Sequence, residues 1–231
     1  MPRRDDLDTI LVLGSGPIKI GQAAEFDFSG SQAVRALRED GYEVILVNSN
    51  PATIQNDPEM ADRVYIEPLL PDTVRKILEI EKPDALLAGM GGQTALNIAS
   101  ELSHDGTLKR LGVELIGSDL DAIDKAEDRE LFNQVCESID LPISQAIACN
   151  SMEEVIKAAE EIGSWPILIR PAFTLGGLGG GTAFDMGQLV EIATLGLRNS
   201  RINQVLIEES ILGWQELEYE VMRDEADNAT I

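Results

Sequence analysis

Residues 167–181 read Ile-Leu-Ile-Arg-Pro-Ala-Phe-Thr-Leu-Gly-Gly-Leu-Gly-Gly-Gly, an apolar run that delivers one arginine, Arg170, into a glycine-rich loop. Five glycines (Gly176, Gly177, Gly179, Gly180 and Gly181) fall within six positions. Glycine has no Cβ, so such a loop takes positive φ at little steric cost and brings backbone N–H groups close to a ligand. Successive N–H groups turned this way form an anion nest, and phosphate is a common occupant. The order strand, arginine, glycine loop matches neither the lysine-bearing Walker loop nor the dinucleotide fingerprint. A plain glycine linker is the competing reading. A buried-looking strand ending in Arg170 favours nucleotide phosphate over it.

Six other stretches carry candidate chemistry. Glu208-Glu209-Ser210-Ile211 closes an apolar run, where backbone groups are free to bond an adenine edge. Glu216, behind Gly213-Trp214-Gln215, could accept hydrogen bonds from a ribose, unless these acids are simply solvated strand ends. Arg129 follows Lys125-Ala126-Glu127-Asp128 and offers a forked donor array to phosphate, with a helix-surface ion pair to Asp128 or Glu127 as the equal alternative. Gly14-Ser15-Gly16-Pro17-Ile18-Lys19-Ile20-Gly21 looks like a dinucleotide turn, but Gly21 comes five positions after Gly16 instead of three, and Pro17 removes a donor. NAD is therefore disfavoured. The neutral loops Asn48–Thr53 and Met90–Thr94 either build tight turns or line a cleft with uncharged donors, and their residues do not choose between the two.

These residues must be positioned by elements, and the first hundred-odd positions alternate strand and helix patterns. Strands are expected at Thr9–Leu13, Glu43–Val47, Val64–Ile66, Asp84–Ala88 and Val113–Ile116. Helices are expected at Ser31–Asp40 (after a long loop reaching Gly30), Thr73–Glu81 and Thr94–Leu102. This is a five-stranded doubly wound sheet, whose ligands sit beyond the carboxyl ends of the strands. After Ser118 the pattern changes to α+β: helix Ala122–Ile139, strand Gln145–Cys149, a helix opened by the capping box Ser151–Glu154, strand Trp165–Ile169, a helix over Gly187–Leu197, and strands Val205–Glu208 and Glu218–Met222. The expected domains are 1–121 and 122–231. Met222–Asn228 carries hairpin-turn residues and Ala229-Thr230-Ile231 begins a return strand, so an amino-terminal piece of something longer is expected.

Composition narrows the function classes. The 231 residues hold 41 acids against 18 lysines and arginines, a formal net charge of −23. A polyanion would be repelled, which argues against nucleic acid as a partner. The acidic surface suits either a high-salt cytoplasm, where screening is strong, or an acidic partner-facing surface. No apolar run reaches the roughly 18–20 residues needed to cross a bilayer, and Met1–Asp8 lacks the apolar core of a secretory signal. No membrane role is expected, and cytoplasmic location is the expectation. Cys136 and Cys149 read as small buried apolar residues, and the single histidine, His104, as a solvated helix end.

Several motifs resemble the carbamoyl-phosphate synthase large-subunit family. They are Leu13–Asp27, Asn48–Ile54, Asp57–Asp62, Met90–Asn97, Ala122–Arg129, Arg170–Gly177 and Glu208–Glu216, and the likeness spans nearly the whole chain. The resemblance implies a Rossmann-like pre-ATP-grasp parallel sheet followed by a partial α+β ATP-grasp domain, in the half that makes carboxyphosphate. It implies ATP as cofactor, with Arg129 and Arg170 on phosphates, Gly176 and Gly177 in the loop over them, Glu209 and Ile211 on adenine through backbone groups, and Glu216 on ribose. Mg2+ or Mn2+ is implied too, on family ligands that lie beyond residue 231; no catalytic or metal residue is assigned within the chain. The implied partners are a glutamine amidotransferase small subunit, the remainder of the large subunit, and the substrates bicarbonate and ammonia, in arginine and pyrimidine biosynthesis. By itself the chain is expected not to turn over. Another ATP-grasp carboxylase such as biotin carboxylase, and a non-catalytic assembly or binding module, are the alternatives.

Overall fold

The structure, a computed structural model, describes residues 3–17, 23–171, 179–200, 202–224 and 226–231, and the side chains of residues 23, 24, 129 and 130 lie outside that description. The chain forms two compact units, Met1–Val135 and Cys136–Ile231.

In the first unit five strands, β1 (Thr9–Leu13), β2 (Glu43–Val47), β3 (Arg63–Tyr65), β4 (Ala85–Leu87) and β5 (Glu114–Ile116), form one sheet in the order β3-β2-β1-β4-β5. Every pairing in it is parallel. Past their first residues, Thr9 and Glu43, β1 and β2 are apolar throughout because both faces are covered, the usual state of a parallel sheet. Alternate residues feed two cores. Leu11, Leu13, Ile45, Val47 and Leu86 pack with α2 (Pro71–Glu81), α3 (Gly92–His104) and α4 (Thr107–Leu111). Ile10, Val12, Val44, Leu46 and Leu87 pack with Val34 of α1 (Ala23–Glu39) on the other face.

Three local expectations are corrected. The loop does not extend to Gly30: α1 begins at Ala23 and runs through that glycine. Gly30 is required there by close packing, since a Cβ would lie 2.5 Å from Gln55 Nε2. The helix expected over Ala122–Ile139 is two helices, α5 (Leu120–Glu127) and α6 (Arg129–Ser138). Asp128 ends the first in extended geometry (φ −86, ψ 117), and its Oδ1 accepts from Leu131 N–H at 2.9 Å, opening the second. Finally, the expected strand Glu218–Met222 contracts to β10 (Met222–Arg223), paired antiparallel with β11 (Ala229–Thr230). That hairpin lies where the turn residues placed it.

The second unit is built on an antiparallel sheet of β6 (Ala146–Cys149), β7 (Ile167–Pro171), β8 (Gly181–Ala183) and β9 (Val205–Glu209), in the order β6-β9-β7-β8. One face carries Cys149, Ile167, Ile169, Ala183, Val205 and Ile207 onto α7 (Met152–Ile162) and α8 (Met186–Asn199), where Val155, Ala159, Leu189 and Ala193 complete the core. The helix opens where the capping box was read: Ser151 Oγ accepts from Glu154 N–H at 3.3 Å, but Glu154 Oε2 reaches one residue further back and accepts from Asn150 N–H at 2.6 Å instead of from Ser151 N–H. Both cysteines are buried, and burial pushes the Cys149 thiol up to about 11, with the nearby Glu154 charge adding to it. His104 ends α3, exposed, with Nε2 3.1 Å from Asp124 Oδ2. No helix among the described residues is long and apolar enough to cross a membrane.

Candidate functional site

The free face of the second sheet makes the site. Side chains alternate across a strand, so Leu168 and Arg170 on β7 share the face opposite Ile167 and Ile169, and Leu206 and Glu208 on β9 share the face opposite Val205 and Ile207. Register places Arg170 beside Leu206 and Leu168 beside Glu208. Arg170 and Glu208 are therefore diagonal neighbours, within reach for long side chains. Arg170 Nε lies 2.9 Å from Glu208 Oε2; the arginine side chain is 53% exposed and the glutamate 7%.

Around this pair lies a cleft of about 460 Å3. Leu168, Arg170, Thr182 and Glu208 form its floor, and the segment Glu209–Glu216 leaving β9 forms its wall. The local hydrogen bonds decide which backbone groups of that wall are left over. Glu209 N–H donates to Gln145 O at 2.8 Å, so its carbonyl is the group it can offer a ligand. Ile211 O accepts from Trp214 N–H at 3.0 Å, so the N–H is the backbone group Ile211 would offer a ligand. A carbonyl and an N–H two residues apart match the donor and acceptor of an adenine edge. Trp214 stands 72% exposed in the same wall.

Of the seven candidate positions, Arg170, Glu209, Ile211 and Glu216 therefore converge on one cleft. Gly176 and Gly177 lie outside the described residues. Arg129 opens α6, in the segment assigned to the first unit, and its side chain also lies outside the description. Glu208 is the residue that sequence reasoning missed as an arginine partner. Its signal was a charged residue on the same alternate face as Arg170.

The carboxyl end of the parallel sheet behaves differently. A doubly wound sheet takes its ligand at the strand-order reversal, here between β1 and β4, where the backbone after β4 packs closely against the end of β1. A Cβ on Gly91 would meet Gly14 O at 2.5 Å and Leu13 O at 2.6 Å. Asn48 Oδ1 accepts from Gly16 N–H at 3.1 Å and from Asn50 N–H at 3.3 Å, while its amide donates to Gln55 Oε1 at 3.1 Å. Gln55 Nε2 donates onward to Phe26 O at 2.7 Å. The neutral side chains of the Asn48–Thr53 loop thus brace the surrounding loops against each other, the turn-building role left open by the sequence. A hollow of about 470 Å3 beside α1, lined by Arg35, Arg38, Ile54 and Met60 among others, is a weaker candidate. Its Arg38 already donates to the carbonyls of Glu59 and Met60 at 2.6 and 3.0 Å.

Among the described residues, no three His, Cys, Asp or Glu side chains converge as metal ligands must, and the buried carboxylate of the cleft, Glu208, is engaged by Arg170. The residues described do not fit a metal site on their own.

Comparison with known proteins agrees with this architecture. Residues 6–125 match the family model described as carbamoyl phosphate synthase preATP-grasp domain, and residues 128–231 match the one described as carbamoyl-phosphate synthase L chain, ATP binding domain. All 231 residues align at 60% identity with the carbamoyl phosphate synthase large chain of Archaeoglobus fulgidus, covering 21% of that protein. They align at 55% with the large chain, N-terminal section, of Aquifex aeolicus, covering 41% of it. The chain thus spans about a fifth of the full large chains it matches. In fold it is similar to the biotin carboxylase domain of Hydrogenobacter thermophilus 2-oxoglutarate carboxylase, solved with MgADP, ADP and bicarbonate: TM-score 0.64 at 18% identity, over 90% of this chain and 45% of that one. The contrast in identity separates family from fold, and the biotin carboxylase alternative is not favoured.

Proposed function

This chain belongs to the carbamoyl phosphate synthase large-chain family, and on that premise we propose that the cleft of its second unit binds ATP for the phosphorylation of bicarbonate. The observation that carries the reading is the convergence of Arg170, Glu209, Ile211 and Glu216 on one hollow. Adenine's amino group donates to Glu209 O, Ile211 N–H donates to a ring nitrogen, and Glu216 accepts from the ribose hydroxyls. Arg170 meets the phosphates, joined by Arg129 and by the backbone of Gly176 and Gly177. Their work is electrostatic: fixed positive groups stabilise the charge that spreads over a phosphoryl group as it moves to the bicarbonate oxygen. The division of labour falls near residue 121, with residues 1–121 as the pre-ATP-grasp domain and 122–231 as the ATP-grasp portion.

The wider assignment follows from the family. Ammonia released by a glutamine amidotransferase small subunit attacks the activated bicarbonate and displaces phosphate, leaving carbamate. A second phosphorylation, in the remainder of the large chain, completes carbamoyl phosphate in the cytoplasm for arginine and pyrimidine synthesis. Mg2+ or Mn2+ accompanies ATP, on ligands that the described residues do not supply. The 231 residues by themselves hold nucleotide without turning it over; bicarbonate-dependent ATP hydrolysis by the isolated polypeptide would refute that part. The binding claim is tested by Trp214 fluorescence during ATP titration. Saturable quenching that disappears in Trp214→Phe is expected, and a titration that leaves Trp214 unchanged contradicts the site.

A further inference from the structure

Among the described residues, several charged pairs join two exposed side chains, as Lys125 and Asp121 do, and Arg63–Glu81 is a pair outside the cleft whose carboxylate is also largely buried. The Arg170–Glu208 pair differs, because its carboxylate is 7% exposed and lies in the floor of the cleft. A carboxylate removed from water is costly unless it is paired, so its retention beneath a ligand site calls for a role. Its place against the guanidinium suggests one. The guanidinium is a planar fork with donors on two edges. Glu208 takes the Nε edge, and this leaves the terminal nitrogens on the opposite edge for anionic oxygens. An arginine on a flexible stem loses rotamer freedom on binding an anion, and a fixed partner on one edge removes that freedom beforehand.

We propose that Glu208 is a positioning residue for the ATP phosphates: its buried carboxylate holds the Arg170 guanidinium so that the far edge faces the cleft. The proposal rests on the ATP reading of that cleft and adds a residue which never touches the nucleotide. It distinguishes the tail of the ligand from its head. Loss of the Glu208 charge frees Arg170 to sample other rotamers and weakens the grip on phosphates, while adenosine, held by Glu209, Ile211 and Glu216, is indifferent.

Calorimetry on the intact protein tests this with ATP, ADP and adenosine as probes. Glu208→Gln keeps the side-chain shape and is expected to weaken ATP and ADP about tenfold, leaving adenosine within twofold of wild type. In the Arg170→Ala background the same substitution should weaken ATP no further, because there is no guanidinium left to hold. Unchanged ATP affinity in Glu208→Gln, equal weakening of ATP and adenosine, or an additive loss in the double variant would each overturn the role. If Glu208→Gln fails to fold, Glu208→Asp withdraws the carboxylate by one methylene, and a selective loss for ATP over adenosine is again required. Wild-type protein that binds neither ATP nor ADP would instead overturn the ATP reading itself.

Discussion

Arg170 Nε stands 2.9 Å from Glu208 Oε2 across the β7–β9 pair, a half-exposed guanidinium on a buried carboxylate. Deleting one partner is not equivalent to deleting both, since a stranded buried charge bears its full desolvation cost. Arg170→Ala alone should destabilise the second unit by about 1–3 kcal/mol. Adding Glu208→Gln should restore part of the loss by removing the stranded charge. Urea unfolding of the single and double variants measures this, and a double variant less stable than Arg170→Ala would contradict the pairing.

The packed strand-order reversal of the first sheet gives a second prediction. Gly91 has φ −106, so its backbone would accept any residue, yet its missing Cβ would lie 2.5 Å from both Gly14 O and Ala95 Cβ. Gly91→Ala should therefore cost about 1–3 kcal/mol through overpacking. Gly106 is the control: it has open space around the absent Cβ but φ +78, so Gly106→Asn bears only the modest strain of a left-handed backbone that Asn tolerates, and should cost less than Gly91→Ala. Thermal unfolding that ranked the two the other way would show the crevice to be looser than described.

Charge supplies the third. A net charge of −23 on 231 residues repels itself at low ionic strength. Raising KCl from about 0.1 to 1 M shortens the screening length from roughly 10 to 3 Å, and the melting temperature should climb across that range. A flat or falling curve would mean that local ion pairs outweigh the overall repulsion.

The fourth concerns pH. Arg4 donates to both Glu114 oxygens, at 2.6 and 2.9 Å, and these hydrogen bonds hold the Glu114 carboxyl below its ordinary 4.5. A depressed folded value gives stability that is complete above the unfolded pKa and is lost as pH falls through the folded one. The stability gap between wild type and Glu114→Gln should thus be present at pH 7, begin to shrink below about pH 4.5, and close in stronger acid. Taking the difference removes the general relief of repulsion that protonation brings to so acidic a chain. A gap that stays constant down the acid limb would exclude this contribution.

How much of this was legible in the sequence depends on the range of the interaction. Continuous apolar runs such as Thr9–Leu13 and Glu43–Val47 announce a sheet covered on both faces, and the strands formed where they were read. The Ser151 capping box is equally local. Gly30 misled because its reason, the Gln55 side chain, comes from a distant turn and leaves no mark nearby. Asp128 splits an otherwise periodic helical stretch with a cap of its own, and no proline or glycine gives warning. Residues Arg170, Glu209, Ile211 and Glu216 were nameable singly. That Glu208 sits under Arg170 was not, because antiparallel register between strands far apart in the chain is fixed only by the fold.

A crystal structure with a non-hydrolysable ATP analogue puts the central claim to its most direct trial. Adenine should lie against Glu209 O and Ile211 N–H, with a phosphate oxygen within about 3 Å of the Arg170 terminal nitrogens. Nucleotide bound instead at the carboxyl ends of β1 and β4, or bound in the cleft without contact to Arg170, would contradict the account.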